Sequence, residues 1–305
     1  MSKALVIGHS GQDGTYVSQL LREKGYVVTG IGRDDGFAVT KPADMRRLMA
    51  EAQPDEIYYL AAFHHSSEDP PMNEHDLIAT SLAVNTAGVN NVLGAIVAEN
   101  LKSRLFYAGS SRMFGNPATA PQTEETPFKP ACAYGISKVA GMSACAFYRS
   151  TRNLFAVTGI LYNHESALRP AKFISRKIVR AAVNISRGSQ EKLTVGNLDA
   201  KVDWGYAPDY ARAMWQILQL DQPQDFVIGS GILHTVRDFV EAAFSTVGLD
   251  WRPHVLENPN SLQRKTPAGS LLADTSKLRS STDWRPQVNF RQMVEIMIKA
   301  ESDCL

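Results

Sequence analysis

The sequence predicts an α/β fold: a doubly wound parallel sheet with helices on both faces, and a smaller α/β C-terminal part. Three observations predict it. Short apolar runs alternate with helical patterns through the first half. A glycine-rich turn, GHSGQDG (8–14), joins the first apolar run to the first helical pattern. Beyond about residue 165 the alternation loosens into shorter strands and well-spaced helices.

The strands come in order as ALVIG (4–8), YVVTGIG (26–32), EIYYLA (56–61), RLFYAG (104–109) and FAVTGILY (155–162). Each is rich in β-branched and aromatic residues and apolar almost throughout, the mark of strands covered on both faces. Between them DGTYVSQLLREKG (13–25), KPADMRRLMAEAQP (41–54) and LIATSLAVNTAGVNNVLGAIVAEN (77–100) carry apolar residues three and four apart, as helices do. Later, helical patterns at 173–187, 208–220, 235–247 and 288–300 alternate with strand candidates KLTVG (192–196) and DFVIGSG (225–231). RPHVLENPNSLQRKTPAG (252–269) reads as a long loop. The expected division is 1–165 and 166–305, with some later segments returning to the first part.

The 305 residues carry 32 Lys plus Arg against 31 Asp plus Glu, a net charge of +1. That balance excludes broad binding to nucleic acid or a membrane surface, which needs a basic excess. The three cysteines, Cys132, Cys145 and Cys304, show no metal-ligand spacing and fit a reducing compartment. No metal site is expected. The N-terminus runs straight into a strand, and no apolar run reaches the length of a membrane span, so a cytoplasmic protein is expected.

Gly8, Gly11 and Gly14 sit between strand and helix, where small residues let a backbone approach a pyrophosphate at a helix N-terminus. The second strand ends in GIGRDD, with Arg33 at the place of an adenosine ribose. An arginine there suits a 2′-phosphate and hence NADP, although Asp34 and Asp35 follow at once.

In YGISK, Tyr134 and Lys138 stand one helical turn apart, where the lysine is expected to lower the phenol's pKa and make it a proton shuttle. The strand before them ends in AGSS, so Ser110 or Ser111 can point at the same site. Glycine loop, serine and tyrosine–lysine pair in this order resemble the extended short-chain dehydrogenase/reductase superfamily. GILYNHESALRPAKFISRKI and LTVGNLDAKVDWGYAPDYARAMWQIL narrow the resemblance to the GDP-mannose 4,6-dehydratase family, and it runs nearly the whole length.

The resemblance implies a Rossmann domain with a smaller nucleotide-sugar domain. It implies an NADP cofactor contacted by Gly8, Gly11, Gln12, Asp13, Gly14, Arg33, Leu60, Ala61, Ala62, Leu161, Asn163 and His164. Tyr134 would take the C4 hydroxyl proton while hydride leaves C4, Lys138 would hold the nicotinamide ribose, and Ser110 would bond the C4 oxygen. Asn163, Glu165, Lys177 and Arg264 would contact a GDP-linked substrate. A homodimer through 73–98 and 130–150 is implied, with a tetramer disfavoured by the short loop after the second strand.

The departures matter as much. Family dehydratases usually carry a Glu in S-T-S-E-L-Y-G that removes the C5 proton; here SSRMFG places Arg112 there. A guanidinium stays protonated and cannot be that base. Val202 replaces a second arginine of the family's DAKRDWG, and AAFHHSSEDP brings His64 or His65 near the sugar. Three readings follow. One is a GDP-hexose 4,6-dehydratase whose base has moved to His64, His65 or Glu165. Another is a 4-keto-sugar reductase or epimerase, in which Arg112 pairs with a substrate carboxylate or phosphate. The last is a catalytically silent NADP binder, against which the intact Tyr134 and Lys138 argue.

Overall fold

The computed structural model describes residues 1–66, 68–258 and 270–303. The first half runs β1 (Lys3–Ile7), α1 (Gln12–Glu23), β2 (Val27–Ile31), α2 (Pro42–Ala52), β3 (Glu56–Tyr59), α3 (Glu74–Leu82), a π-helical turn (Ala83–Ala87) and α4 (Gly88–Ala98). Then come β4 (Arg104–Ala108), a 3-10 turn (Ser111–Phe114), α5 (Ala133–Arg152), β5 (Ala156–Leu161) and β6 (Asn163–Glu165). The second half adds α6 (Ile174–Ser186), β7 (Leu193–Val195), β8 (Lys201–Tyr206), α7 (Ala207–Leu218), β9 (Phe226–Ile228) and β10 (Leu233–Thr235). It ends with α8 (Val236–Thr246), β11 (Val255–Glu257), α9 (Ser276–Ser281) and α10 (Phe290–Asp303).

Six strands form the main sheet in the order β2-β1-β3-β4-β5-β9, all parallel. Side-chain alternation divides its core in two. Ala4, Val6, Tyr58, Phe106 and Val157 face a layer containing Val17 and Leu21 of α1 and Met214 and Ile217 of α7. Leu5, Ile7, Ile57, Tyr59, Leu105 and Tyr107 face Leu48 of α2 and Val92, Leu93 and Ile96 of α4. Apolar runs without polar gaps are the cost of covering both faces. The doubly wound expectation holds.

The later segments divide between the two parts. α7 packs on the first layer and β9 pairs with β5, whereas α6, α8 and α10 enclose a separate core around Trp204 and Phe239. Two small sheets complete that second lobe: β10-β8-β6 and β11-β7.

Two expectations need correction. Val255–Glu257 is not loop but a strand paired with β7; the rest of the proposed loop from 259 to 269 lies outside the described residues, as do Arg264 and Cys304. The helical stretch Glu74–Ala98 is also long and apolar enough to cross a membrane by length and composition. Its polar residues are uncharged beyond the first turn, so a window of this length stays apolar. Val89, Val92, Leu93 and Ile96 are nevertheless committed to the core of the sheet.

Candidate active site

The cleft forms at the C-terminal ends of β1, β3, β4 and β5 and has a volume of about 1070 Å³. This is the edge at which open parallel sheets hold ligands. After β1 the chain turns at Gly8, whose φ of +94° is left-handed and whose amide donates to the Ile31 carbonyl at 2.7 Å. A Cβ on Gly14 would stand 2.2 Å from the Gly8 carbonyl oxygen, so only glycine lets α1 start this close to the strand. A Cβ on Gly11 would meet nothing nearer than 3.4 Å. The loop is thus tight behind and open in front, and it presents the N-terminus of α1 to the cleft. That cradle fits the pyrophosphate of a dinucleotide.

Arg33 also lines the cleft and is exposed, with no side-chain partner among the described residues. The carboxylate of Asp35 turns back to accept from the Gly32 amide at 2.6 Å. Asp35, one of the two acids that clouded the cofactor reading, is therefore engaged within its own turn.

Leu60, Ala62, Leu161, Asn163 and His164 line the cleft with the loop residues Gln12 and Asp13. Ala61 does not line it. It packs behind Gly8, where an added Cβ would meet its amide at 2.6 Å. His164 Nε2 donates to Asp13 Oδ1 at 2.9 Å, and its Nδ1 donates to the Tyr162 carbonyl at 2.7 Å. Both ring nitrogens face oxygen acceptors, so the ring carries both protons. Burial works to raise the Asp13 carboxyl and to lower the imidazole. The charge and hydrogen bond each supplies to the other outweigh it: Asp13 is held below its ordinary value and His164 above.

At the other end stand Ser110, Tyr134 and Lys138. Ser110 precedes the 3-10 turn, and its Oγ accepts from the Arg112 amide at 3.2 Å. Ser111 is buried and does not line the cleft. Tyr134 is the second residue of α5. One turn later the buried Lys138 donates from Nζ to the Ala108 carbonyl at 2.7 Å and lies 5.5 Å from the centre of the Tyr134 ring. The expected lowering of the phenol pKa is not found: burial, helped by the Asp13 charge, raises Tyr134, and burial pushes Lys138 down to about 7. In the protein alone desolvation of each group exceeds what the partly neutralised lysine gives the tyrosine.

Arg112 lines the cleft, half-buried, beside these residues. The His64 ring stands edge-on to Tyr134 at 5.0 Å and tilts against Phe173 at 5.7 Å. His65 contacts the Pro70 carbonyl through Nε2 at 2.9 Å.

Two expected substrate contacts are placed elsewhere. Glu165 is 2% exposed and does not line the cleft; it accepts from Ser175 Oγ at 2.6 Å and pairs with Arg169 at 3.2 Å. Its Oε2 is held by Ser175 of α6 and by Arg169 in the turn before that helix, and the carboxylate stays outside the lining where a displaced base would have to act. Lys177 pairs with Glu68 at 2.8 Å and likewise lies outside the cleft lining. The lining residues not anticipated include Asp69, Arg169, Lys172 and Phe173. Lys172 donates to both Asp69 carboxylate oxygens at 2.7 Å across 103 residues, a separation at which sequence carries no pairing signal.

A family model described as GDP-mannose 4,6 dehydratase matches residues 37–297. GDP-mannose 4,6 dehydratase 1 of Arabidopsis thaliana is 37% identical, over 97% of this chain and 88% of its own length. The GDP-mannose 4,6 dehydratase of Homo sapiens is 34% identical over 99% and 92%. Among solved structures, RMD from Pseudomonas aeruginosa complexed with NADPH superposes with a TM-score of 0.88 at 20% identity, covering both chains fully. The dTDP-glucose 4,6-dehydratase of Bacillus anthracis in complex with NAD gives 0.82 at 16% identity, over 99% of this chain and 97% of that one.

Proposed function

The chain belongs to the GDP-mannose 4,6-dehydratase family, and from that premise we propose an NADP-dependent enzyme that transfers hydride at C4 of a GDP-linked hexose. The observation carrying this reading is the convergence of Ser110, Tyr134 and Lys138 in the cleft that begins at the glycine loop. Gly8, Gly11, Gly14 and the start of α1 would hold the pyrophosphate of NADP, Arg33 its 2′-phosphate, and Lys138 its nicotinamide ribose. When bound, NADP supplies the hydride acceptor and, in reverse, the donor.

Ser110 Oγ orients the C4 oxygen, and Tyr134 Oη exchanges a proton with it. Anionic groups brought beside Lys138 restore its charge, and the charged lysine then favours the tyrosinate. The carboxylates lining the cleft are Asp13, Asp69 and Asp76. Asp13 is held by His164, Asp69 by Lys172, and Asp76 accepts from Asn73 at 2.6 Å. With Arg112 at the position of the family's base, each carboxylate of the described lining already carries a hydrogen bond from a neighbouring side chain. The reaction supported best is therefore oxidation or reduction at C4 that ends in a reduced or epimerised sugar.

Dehydration is the second reading. It is favoured by family membership and by the His64 ring against Tyr134, which puts an imidazole next to the proton shuttle. Mass spectrometry of GDP-mannose incubated with the protein and catalytic NADP separates the two. Loss of one water establishes dehydration and overturns the first reading. A product of unchanged mass and inverted C4 configuration, its C4 deuterium returned from the nicotinamide, supports it.

The exposed Ile78, Ile136 and Phe147 on the adjacent helices α3 and α5 support a homodimer through that surface.

A further inference from the structure

Among the described residues, five cationic side chains line the cleft: Arg33, Arg112, Lys138, Arg169 and Lys172. Three are already engaged. Lys138 donates to Ala108, Arg169 pairs with Glu165, and Lys172 grips Asp69. Arg33 and Arg112 have no side-chain partner among the described residues, and they serve different ends of the cleft. Arg33 follows β2 at the adenosine end. Arg112 belongs to the reacting end, and its backbone fixes it there twice. Its amide donates to Ser110 Oγ, and its carbonyl presses on the residue after Tyr134, where a Cβ on Gly135 would lie 2.5 Å from the Arg112 oxygen. The backbone of Arg112 is thus held between the serine and the tyrosine that bracket the reacting hydroxyl, and the residue lines the cleft there.

A neutral hexose in that space would strip water from the guanidinium and return no countercharge. A carboxylate would meet its planar fork with two parallel N–H donors. We propose that Arg112 recognises a carboxylate on the sugar carbon next to the reacting one, so that the substrate class is a nucleoside diphosphate-linked hexuronate. This rests on the nucleotide-sugar reading above. Arg112 is then a specificity residue, and the loss of a carboxylate base and the gain of a carboxylate receptor are one and the same substitution.

Calorimetry on the NADP-saturated protein tests this with three ligands: GDP, GDP-mannose and GDP-mannuronate. GDP-mannuronate is expected to bind at least about tenfold more tightly than GDP-mannose, the scale of one bidentate charged contact. Arg112→Gln should abolish that preference while leaving GDP affinity unchanged, and Arg112→Lys should retain part of it. Thermal unfolding and NADP affinity of each variant report whether its fold is intact, and the wild-type comparison stands without any variant. Equal or tighter binding of GDP-mannose overturns the proposal alone. So does an Arg112→Gln protein that loses affinity for GDP itself, since Arg112 would then hold the diphosphate. Failure of all three ligands to bind overturns this proposal and the nucleotide-sugar reading together.

Discussion

His164 Nε2 and Asp13 Oδ1 meet at 2.9 Å across 151 residues, so the first turn of α1 and the strand after β5 are joined by a mostly buried ion pair. The His164 ring also stacks on Tyr210 at 4.5 Å, which ties α7 into the same junction. The glycine loop is therefore braced from both the first and second halves of the chain.

The pH dependence of that brace follows from the directions of its two shifts. His164 is raised, so its contribution is fully present below 6.5 and is lost as pH climbs through the higher folded value. Asp13 is lowered, so its contribution is present above 3.8 and is lost as pH falls through the lower folded value. His164→Ala strands the Asp13 carboxylate and should cost about 3 kcal/mol. Urea unfolding at pH 5.5 and pH 8.5 should show a smaller penalty at the higher pH; an equal penalty would contradict the pairing.

Tyr134→Phe removes the proton shuttle and keeps the ring that His64 packs on. Turnover should fall by about 10²- to 10⁴-fold while sugar-nucleotide affinity stays nearly constant. Single-turnover absorbance of reduced NADP measures the first and calorimetry the second. A change confined to affinity would remove Tyr134 from the chemistry.

Lys138, pushed down to about 7 by burial, is largely neutral at pH 8 in the ligand-free protein. A dinucleotide brings negative charge into the cleft and favours the protonated lysine. NADP binding at pH 8 should therefore take up a fraction of a proton, seen as a binding enthalpy that differs between Tris and phosphate buffers. Lys138→Met should remove the difference, and its persistence would point to another group.

Arg33→Ala should weaken NADP by about tenfold or more and change NAD by less than about twofold, since only the 2′-phosphate loses its partner. Competition binding with the two dinucleotides reads this directly. Equal losses would place Arg33 on a phosphate common to both.

The glycines of the loop should separate into two kinds. Gly14→Ala drives a methyl into the Gly8 carbonyl and the His9 backbone, at 2.2 and 2.5 Å, and should cost about 3 kcal/mol in urea unfolding. Gly11→Ala meets only one contact at 3.4 Å and should unfold almost as wild type while losing NADP affinity at its open face.

Elements with a continuous physical signal were legible in the sequence. β1, β3, β4 and β5 are buried on both sides and therefore read as unbroken apolar runs, and the edge strand β2 keeps enough β-branched residues to read with them. Gly8 and Gly14 stood out because a left-handed φ at the first and the Gly8 carbonyl 2.2 Å from a Cβ at the second exclude other residues, and Tyr134 and Lys138 because a helix converts spacing into a shared face. β6, β8 and β10 were not legible. NHE and LHT are too short for a period to show, and KVDWGY mixes charge with apolar residues because Trp204 enters the second core while Asp203 holds the Ser230, Gly231 and Ala273 amides. Glu165 was misplaced for a related reason. The resemblance put it beside Asn163 and His164 at the cleft, yet the Ser175 and Arg169 contacts, which only the folded chain brings together, hold it buried outside the lining. The Asp69–Lys172 pair depends wholly on tertiary folding.

The position of β9 beside β5 also governs how this protein can be made. Thr158 donates its amide to Asp225, 67 residues further on, and Gly159 is paired with Phe226. A ribosome therefore releases β5 well before the partner that closes its outer edge exists. Throughout that interval the growing chain displays a bare, apolar strand edge, the kind of surface that mispairs with other chains. The two lobes form one unit of synthesis: a chain stopped at residue 165 ends with an open sheet, and the remainder begins without one.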